Sequence, residues 1–155
     1  ATMIAFVVGT SVADWRASRD VAAEAVLSHV RATLDRKLVQ VATSDRHTVK
    51  PWLSSQLDYS PPVHDLASEG FPLVGGRIDS LDGRPVATLV YRAGNHVIDV
   101  FVRPASRDEP AARTLRGFHI AHARSGDWDW LAVSDVTPDV LAAFVELLAR
   151  TASSP

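Results

Sequence analysis

The chain has 155 residues, the length of one ordinary domain, and its hydrophobic fraction of 46% is enough to build a core. Its 16 basic and 18 acidic residues leave a net charge of −2, so we expect no direct nucleic-acid binding, which requires an excess of Lys and Arg. The absence of cysteine excludes disulfides, thiolate nucleophiles and cysteine-ligated zinc.

An apolar run opens the chain at residues 3–12. It is shorter than the roughly 20 residues that span a bilayer, and it lacks the basic start of a signal peptide. Three readings remain open: a buried strand, the start of the first helix, or the outer end of a transmembrane helix.

Residues 21–38 contain no Gly or Pro, and their apolar residues recur at steps of three and four. This spacing predicts an amphipathic helix, with Ser18 as its N-cap and Asp20 near its positive end. Residues 38–43 suit a short strand. The apolar positions of the helix are Ala23, Val26, Leu27, Val30 and Leu34.

Residues 44–72 are predicted to be irregular, because Pro51, Pro61, Pro62 and Pro72 interrupt any long element. Residues 62–68 suit one short helix that ends at Gly70. A loop region this long in a small domain is often functional, although it can also simply cover the core.

From residue 71 the pattern changes to alternation, with turn signals such as Asp82-Gly83 and Gly94-Asn95 between apolar segments. A final helix is predicted after Thr137, which suits the N-cap, and Pro138, which suits the first helical position. The predicted strands are 71–79, 85–91, 96–102, 115–123 and 128–133, with a polar loop at 103–113.

This order predicts an α+β fold: an antiparallel β-meander of about five strands, packed against an N-terminal and a C-terminal helix on one face. We expect a single domain over residues 16–150. Residues 1–15 are then an apolar lead or the outer end of a transmembrane helix, and residues 151–155 are a tail.

Known catalytic motifs are missing from the sequence. There is no Gly-x-Ser-x-Gly elbow, and Gly75-Gly76 is more typical of a bulge or a close backbone approach than of a phosphate loop. His119 and His122 lie three apart on a predicted strand, so they face opposite sides and are a poor zinc pair. Trp128 and Trp130 share one strand face, where core packing is the default interpretation.

The segment HTVKPW, residues 47–52, combines an imidazole, an ammonium group and an indole. We predict a rigid extended clip, because Pro51 favours an extended conformation at Lys50, and we expect Val49 and Trp52 to be substantially buried. Candidate binding residues, in this segment and in the following loop, are His47, Lys50, Trp52, His64 and Asp65. The alternative is that such groups cap turns and satisfy backbone amides. We expect no catalytic residue, metal ligand or cofactor.

An ordered series of motifs resembles one family. The segments are HTVKPW at 47–52, LDYSPPV at 57–63, GFPLVGGR at 70–77, ATLVYR at 87–92, HVIDVFV at 96–102, GFH at 117–119 and WLAVSD at 130–135. The series is similar to the extracytoplasmic domain of bacterial membrane-anchored anti-sigma factors, over roughly residues 20–150.

The resemblance implies a regulatory protein with three parts: a cytoplasmic domain that holds an extracytoplasmic-function sigma factor inactive, one transmembrane helix, and a periplasmic domain like this chain. We therefore expect a non-enzymatic sensory domain outside the cytoplasmic membrane. The sigma-binding part would be absent from this chain, and a protease would be a further regulatory partner. The alternative is a periplasmic small-molecule or metal-binding domain that uses the 47–65 region.

Overall fold

A seven-stranded antiparallel sheet lies at the centre of the protein, which we describe from a computed structural model over residues 20–106 and 109–153. The predicted α+β class is confirmed, but there are seven strands rather than five, because two very short ones lie at the sheet edges. The strands are β1 Val41–Ala42, β2 Leu73–Leu81, β3 Arg84–Ala93, β4 His96–Pro104, β5 Arg113–Leu115, β6 Phe118–Ser125 and β7 Trp128–Ser134.

The strand order is β1-β2-β3-β4-β7-β6-β5. Two antiparallel units, β1 to β4 and β5 to β7, therefore meet where β4 pairs with β7, for example at Asp99 opposite Val133 and Val102 opposite Trp130. The prediction of one continuous meander is wrong at this junction. The β2–β3 and β3–β4 hairpins form at the predicted turns Asp82-Gly83 and Gly94-Asn95, whereas the β5–β6 turn at Arg116-Gly117 falls inside the predicted strand 115–123.

Within the described residues, three α-helices accompany the sheet: α1 Val21–Leu34, α2 Arg46–Gln56 and α3 Pro138–Ser153. Asp20 caps α1, since its Oδ1 accepts a hydrogen bond from the backbone N of Ala23 at 3.1 Å. The predicted cap Ser18 lies outside the described residues, as does the whole apolar lead at 1–15. The first helix ends four residues earlier than predicted, because Arg36 adopts a left-handed conformation with φ 54°.

Helix α2 overturns the prediction that HTVKPW is an extended clip. Asp45 begins the helix, because its Oδ1 accepts from the backbone N of His47 at 2.9 Å and its Oδ2 from the hydroxyl of Thr48 at 2.8 Å. Such a cap is worth about 1 kcal/mol. The polar groups at this end of the segment therefore build a helix start.

Burial completes the stabilisation of α2. Val49 and Leu53 lie one turn apart and are fully buried, as predicted for Val49, while Trp52 is half-buried against the same core. Burying two such aliphatic side chains contributes about 1.5–3 kcal/mol each. Together with the cap this offsets the roughly 3 kcal/mol cost of Pro51 inside a helix.

The helices lie on both faces of the sheet, so the prediction that they share one face is wrong. Helices α2 and α3 cover one face, and α1 covers the other. The larger core contains, among others, Leu53, Leu89, Tyr91, Val100, Trp130, Leu141, Phe144 and Leu148. The smaller core contains Ala22, Ala25, Val26, Leu81, Val86, Phe101, Ile120, Leu131 and Val133.

The predicted role of Gly75-Gly76 is confirmed. The β2–β3 register shifts between Leu73 and Gly75, and a Cβ on Gly75 would lie 2.0 Å from the carbonyl oxygen of Val41. In the described part of the chain, no helix has the length and apolar character needed to cross a membrane.

Candidate functional site

The five predicted binding residues occupy different environments. His47 and Lys50 are exposed on α2, Trp52 and His64 are half-buried, and Asp65 is exposed. The Oδ1 atom of Asp65 accepts a hydrogen bond at 3.1 Å from the backbone amide two residues later, so this carboxylate caps a turn. Asp65 therefore has the local structural role that was the alternative considered from sequence.

His64 is the member of this set with an unusual environment. Its Nε2 is buried without a hydrogen-bond partner, and so is the Nε1 of Trp130, whose ring centroid lies 6.1 Å from that of His64. Burial, together with the positive charges of Arg46 and Lys50, lowers the pKa of His64. The lowered pKa favours the neutral form of the His64 imidazole, and the positive charge of Lys50 contributes to this shift.

A second group of polar side chains was not predicted as a site. It lies between α1 and the sheet, and we call it the polar network: His29, Arg77, Asp79, Thr88 and Asp99. Asp99 is fully buried at the centre of β4, while His29 and Arg77 are 3% and 4% exposed. Buried charges of this kind are costly unless they are paired.

The network pairs Asp99 on both carboxylate oxygens. Arg77 donates from Nη1 to Oδ1 at 3.1 Å and from Nη2 to Oδ2 at 2.6 Å, and Nδ1 of His29 lies 2.9 Å from Oδ2. Burial by itself would raise the pKa of Asp99. The hydrogen bonds from His29 and Arg77 outweigh that effect and hold the pKa of this carboxyl below its usual value.

Asp79 extends the network along β2. Its Oδ2 lies 2.8 Å from Nε of Arg77 and accepts the hydroxyl of Thr88 at 2.7 Å. The network thus holds two carboxylates, one guanidinium and one imidazole.

A third polar group surrounds Asp129 on β7, on the same sheet face as Asp99. Its Oδ1 lies 2.7 Å from Nε of Arg124 and 3.3 Å from Nε2 of His122, and its Oδ2 accepts the backbone N of Ser106 at 3.0 Å. Burial would raise the pKa of Asp129, but the bonds to Arg124 and Ser106 lower it overall. This carboxylate ties the loop after β4 to the sheet.

Across residues 20–106 and 109–153, no three His, Asp or Glu side chains form a group that could hold a metal ion. His122 points to Asp129, whereas Nδ1 of His119 lies 2.7 Å from the hydroxyl of Thr114, so the two histidines have separate partners.

The polar network was not predicted from the sequence, although the pattern of β4 contains one signal for it. On β4 the alternation places Asp99 between Val97 and Phe101 on one face, and the other face is also apolar. A carboxylate in such a strand predicts a buried cationic partner. The identity of that partner was not readable, because Arg77 and His29 are 22 and 70 residues away.

The chain matches no model of a known protein family and no curated protein. The resemblance to anti-sigma factors stays a prediction from the motif series.

Proposed function

We propose that this chain is the extracytoplasmic regulatory domain of a membrane-anchored anti-sigma factor, with a non-enzymatic role. The motif series over residues 47–135 supports the proposal. So does the use of the conspicuous polar groups: Asp45 caps helix α2, Asp65 caps a turn, and Asp99 and Asp129 bind partners within the fold.

The observation that carries the proposal is the polar network between α1 and the sheet. A sensory domain must couple events at its surface to the segment that leads away from it, and such coupling requires an element with two states. Helix α1 directly follows residues 1–19, and His29 ties it to Asp99 at the centre of the sheet. The network is therefore a direct physical connection between helix α1 and the centre of the sheet.

The proposal is tested by transcription in a host that carries the full-length gene. Deleting the gene should raise transcription of a regulon that includes an extracytoplasmic-function sigma gene, because the sigma factor would be released. Re-expression of the full-length protein should restore repression. An unchanged transcriptome after deletion would contradict the proposal.

One specific observation favours a second candidate function, the binding of a small molecule at His64. Two buried nitrogens without partners, on His64 and Trp130, occur in adjacent rings, and each such group costs about 1–3 kcal/mol unless a bound group satisfies it. A ligand with a hydroxyl could accept from Trp130 and donate to neutral His64.

This second function is tested by thermal shift with a panel of small polyols and with divalent metal ions. A rise in the melting temperature that is lost in His64→Gln but kept in His47→Ala would support it. The exposed His47 provides the matched control. No shift with any member of the panel counts against ligand binding here.

A further inference from the structure

Helix α1 is attached to the sheet through small side chains. Its buried apolar residues are Ala22, Ala25, Val26 and Ala32, whereas α3 buries Leu141, Phe144, Val145 and Leu148. Hydrophobic stabilisation scales with the apolar area removed from water, so the side chains of α1 themselves contribute less than those of α3. Helix α1 also covers larger apolar side chains of the sheet, including Phe101 and Leu131. Two larger apolar residues of α1, Leu27 and Leu34, are 48% and 76% exposed.

The larger core does not depend on α1. In the described part of the chain, that core is built from the sheet, the loop after α2, and helices α2 and α3, with no residue of α1. The sheet face under α1 carries the charged members of the polar network. Regions with few buried apolar contacts open more readily than the core of a domain.

Separation of α1 would leave Asp99 paired. Arg77 binds both oxygens of Asp99, so only the bond from His29 would be lost. A buried carboxylate that keeps its cation avoids the large cost of an unpaired charge. The His29 side chain would pass into water, where its ring nitrogens find partners.

The chain after α1 is fixed to the sheet and would stay in place. The carbonyl oxygen of Leu38 accepts from Nη1 of Arg77 at 3.0 Å, and the backbone N of Gln40 donates to the carbonyl of Gly76 at 2.8 Å. Between this anchor and α1 lies Arg36, a residue other than glycine with φ 54°. Residues 35–37 close the last turn of α1 through backbone bonds such as that of Lys37 N to the carbonyl of Ala32 at 3.0 Å. They link α1 to the anchor, so the backbone would turn at this segment if α1 moved, as short segments at the ends of elements commonly do.

The remaining polar contacts of α1 are exposed. Asp20 forms an ion pair with Arg113, and Oε2 of Glu24 accepts the backbone N of Asp82 at 2.7 Å. Exposed pairs contribute little to stability. In the described part of the chain, the bond of His29 to Asp99 is therefore the one buried polar contact between α1 and the sheet.

We propose that α1 is a regulatory helix that opens as a unit about residues 35–37, and that the His29–Asp99 hydrogen bond sets how often it does so. Its use in relaying a signal rests on the proposed function, but the opening itself does not. In the closed state, α1 is connected to the sheet centre through the His29–Asp99 bond. In the open state that connection is lost while the larger core stays folded.

Native-state hydrogen exchange on the whole chain, at increasing urea below the unfolding transition, tests the opening. The amides of α1 should exchange at least 100-fold faster than those of β3 and β4, with a weak urea dependence that reports a local opening. Exchange of α1 together with β3 and β4, in a single unfolding event, would overturn the proposal. This measurement needs no variant, so it stands even if a substitution prevents folding.

Substitution at His29 tests the hydrogen bond. His29→Leu should raise α1 exchange at least tenfold and leave β3 and β4 unchanged, while His29→Asn, which keeps a donor near the position of Nδ1, should recover part of the protection. His96→Leu is the matched control, because its bond to Asp135 is exposed. Equal effects of His29→Leu on α1 and on β4, or no effect on either, would refute the assignment.

The two proposals fail separately. Exchange is measured on this chain alone, and a fast-opening α1 without any sigma-factor response would leave the helix assignment standing and remove the proposed function. If the sigma factor responds but the amides of α1 exchange together with those of the core, the proposed function stands and the helix assignment fails.

Discussion

The carboxylate of Asp99 is enclosed by groups from three elements: β4 itself, Arg77 of β2 and His29 of α1. Full burial would make this charge unfavourable, and its partners reverse that effect. We expect Asp99→Asn to destabilise the fold by about 3 kcal/mol or more, because Arg77 would stay buried with only Asp79 to balance it.

Urea denaturation of the two proteins measures this cost. Asp135→Asn is the control: Asp135 also binds a histidine, His96, but at an exposed position, where such a pair contributes about 0–1 kcal/mol. If Asp99→Asn proves as mild as the control, the interpretation of Asp99 as a buried structural anion is wrong.

His64 supplies a prediction about pH. Because burial lowers its pKa in the folded state, the unfolded chain takes up a proton near the ordinary value of 6.5 before the folded chain does. The contribution of His64 to stability is thus present above pH 6.5 and is lost as the pH falls. Between pH 7.5 and pH 5.5, His64→Gln should lose less stability in urea denaturation than the wild type loses. The same loss in both proteins would contradict the prediction, and His47→Gln, at an exposed position, serves as the control.

The candidate residues were only partly readable from sequence. The alternation of the strands identified Trp130 as core, and its Nε1 proves to be buried without a partner. Lys50 and His64 were both named as candidate binding residues, and the charge of Lys50 is one of the causes that lower the pKa of His64. The polar network was not foreseen, since its members come together only when α1 packs on the sheet.

Helix α2 shows why a local rule can fail for a whole element. Pro51 suggested an extended chain, yet the Asp45 cap and the burial of Val49 and Leu53 favour a helix. A proline rule concerns the backbone of two residues, whereas a cap and two core contacts act on all eleven residues of the element.

The strand pair β1–β2 depends on glycine at one position. Gly75 has φ +156°, and a side chain there would meet the carbonyl oxygen of Val41, which is backbone and has little freedom to move. We expect Gly75→Ala to cost about 2–4 kcal/mol. It should also reduce hydrogen-exchange protection at Gln40, whose amide bonds to Gly76.

Gly76→Ala is the matched control for Gly75→Ala. A Cβ on Gly76 would lie 3.2 Å from Cγ1 of Val49 and 3.5 Å from the methyl groups of Leu53, which are side-chain atoms that can shift. Its cost in urea denaturation should be about 1 kcal/mol. Equal costs for the two substitutions would show that the close approach at Gly75 is not the limiting contact.

The topology of the whole molecule explains which features were predictable. The β2–β3 and β3–β4 hairpins have turn signals in the sequence and were predicted, whereas the β5–β6 hairpin was missed because its turn at Arg116-Gly117 lies inside a predicted strand. The pairing of β4 with β7 joins residues such as Asp99 and Val133, which no short loop connects, so no local signal marks it. Strand β7 is buried along almost its whole length, which is typical of a strand covered on both faces. Helix α1 covers one of these faces and α3 covers the other.

Acid should destabilise the whole molecule through Asp99 and Asp129, the carboxylates that are buried in the described part of the chain. The folded-state pKa values of Asp99 and Asp129 lie below the ordinary value of 3.8, so their contributions are complete well above that pH. As the pH falls from about 5 through 3.8, these carboxylates become protonated in the unfolded chain but stay ionised in the folded chain. The free energy of unfolding therefore declines. Urea denaturation between pH 6 and pH 3 should show this decline, and it should be shallower in Asp129→Asn than in Asp135→Asn. Stability that stays constant from pH 5 to pH 3 would mean that neither carboxylate is held as the structure indicates.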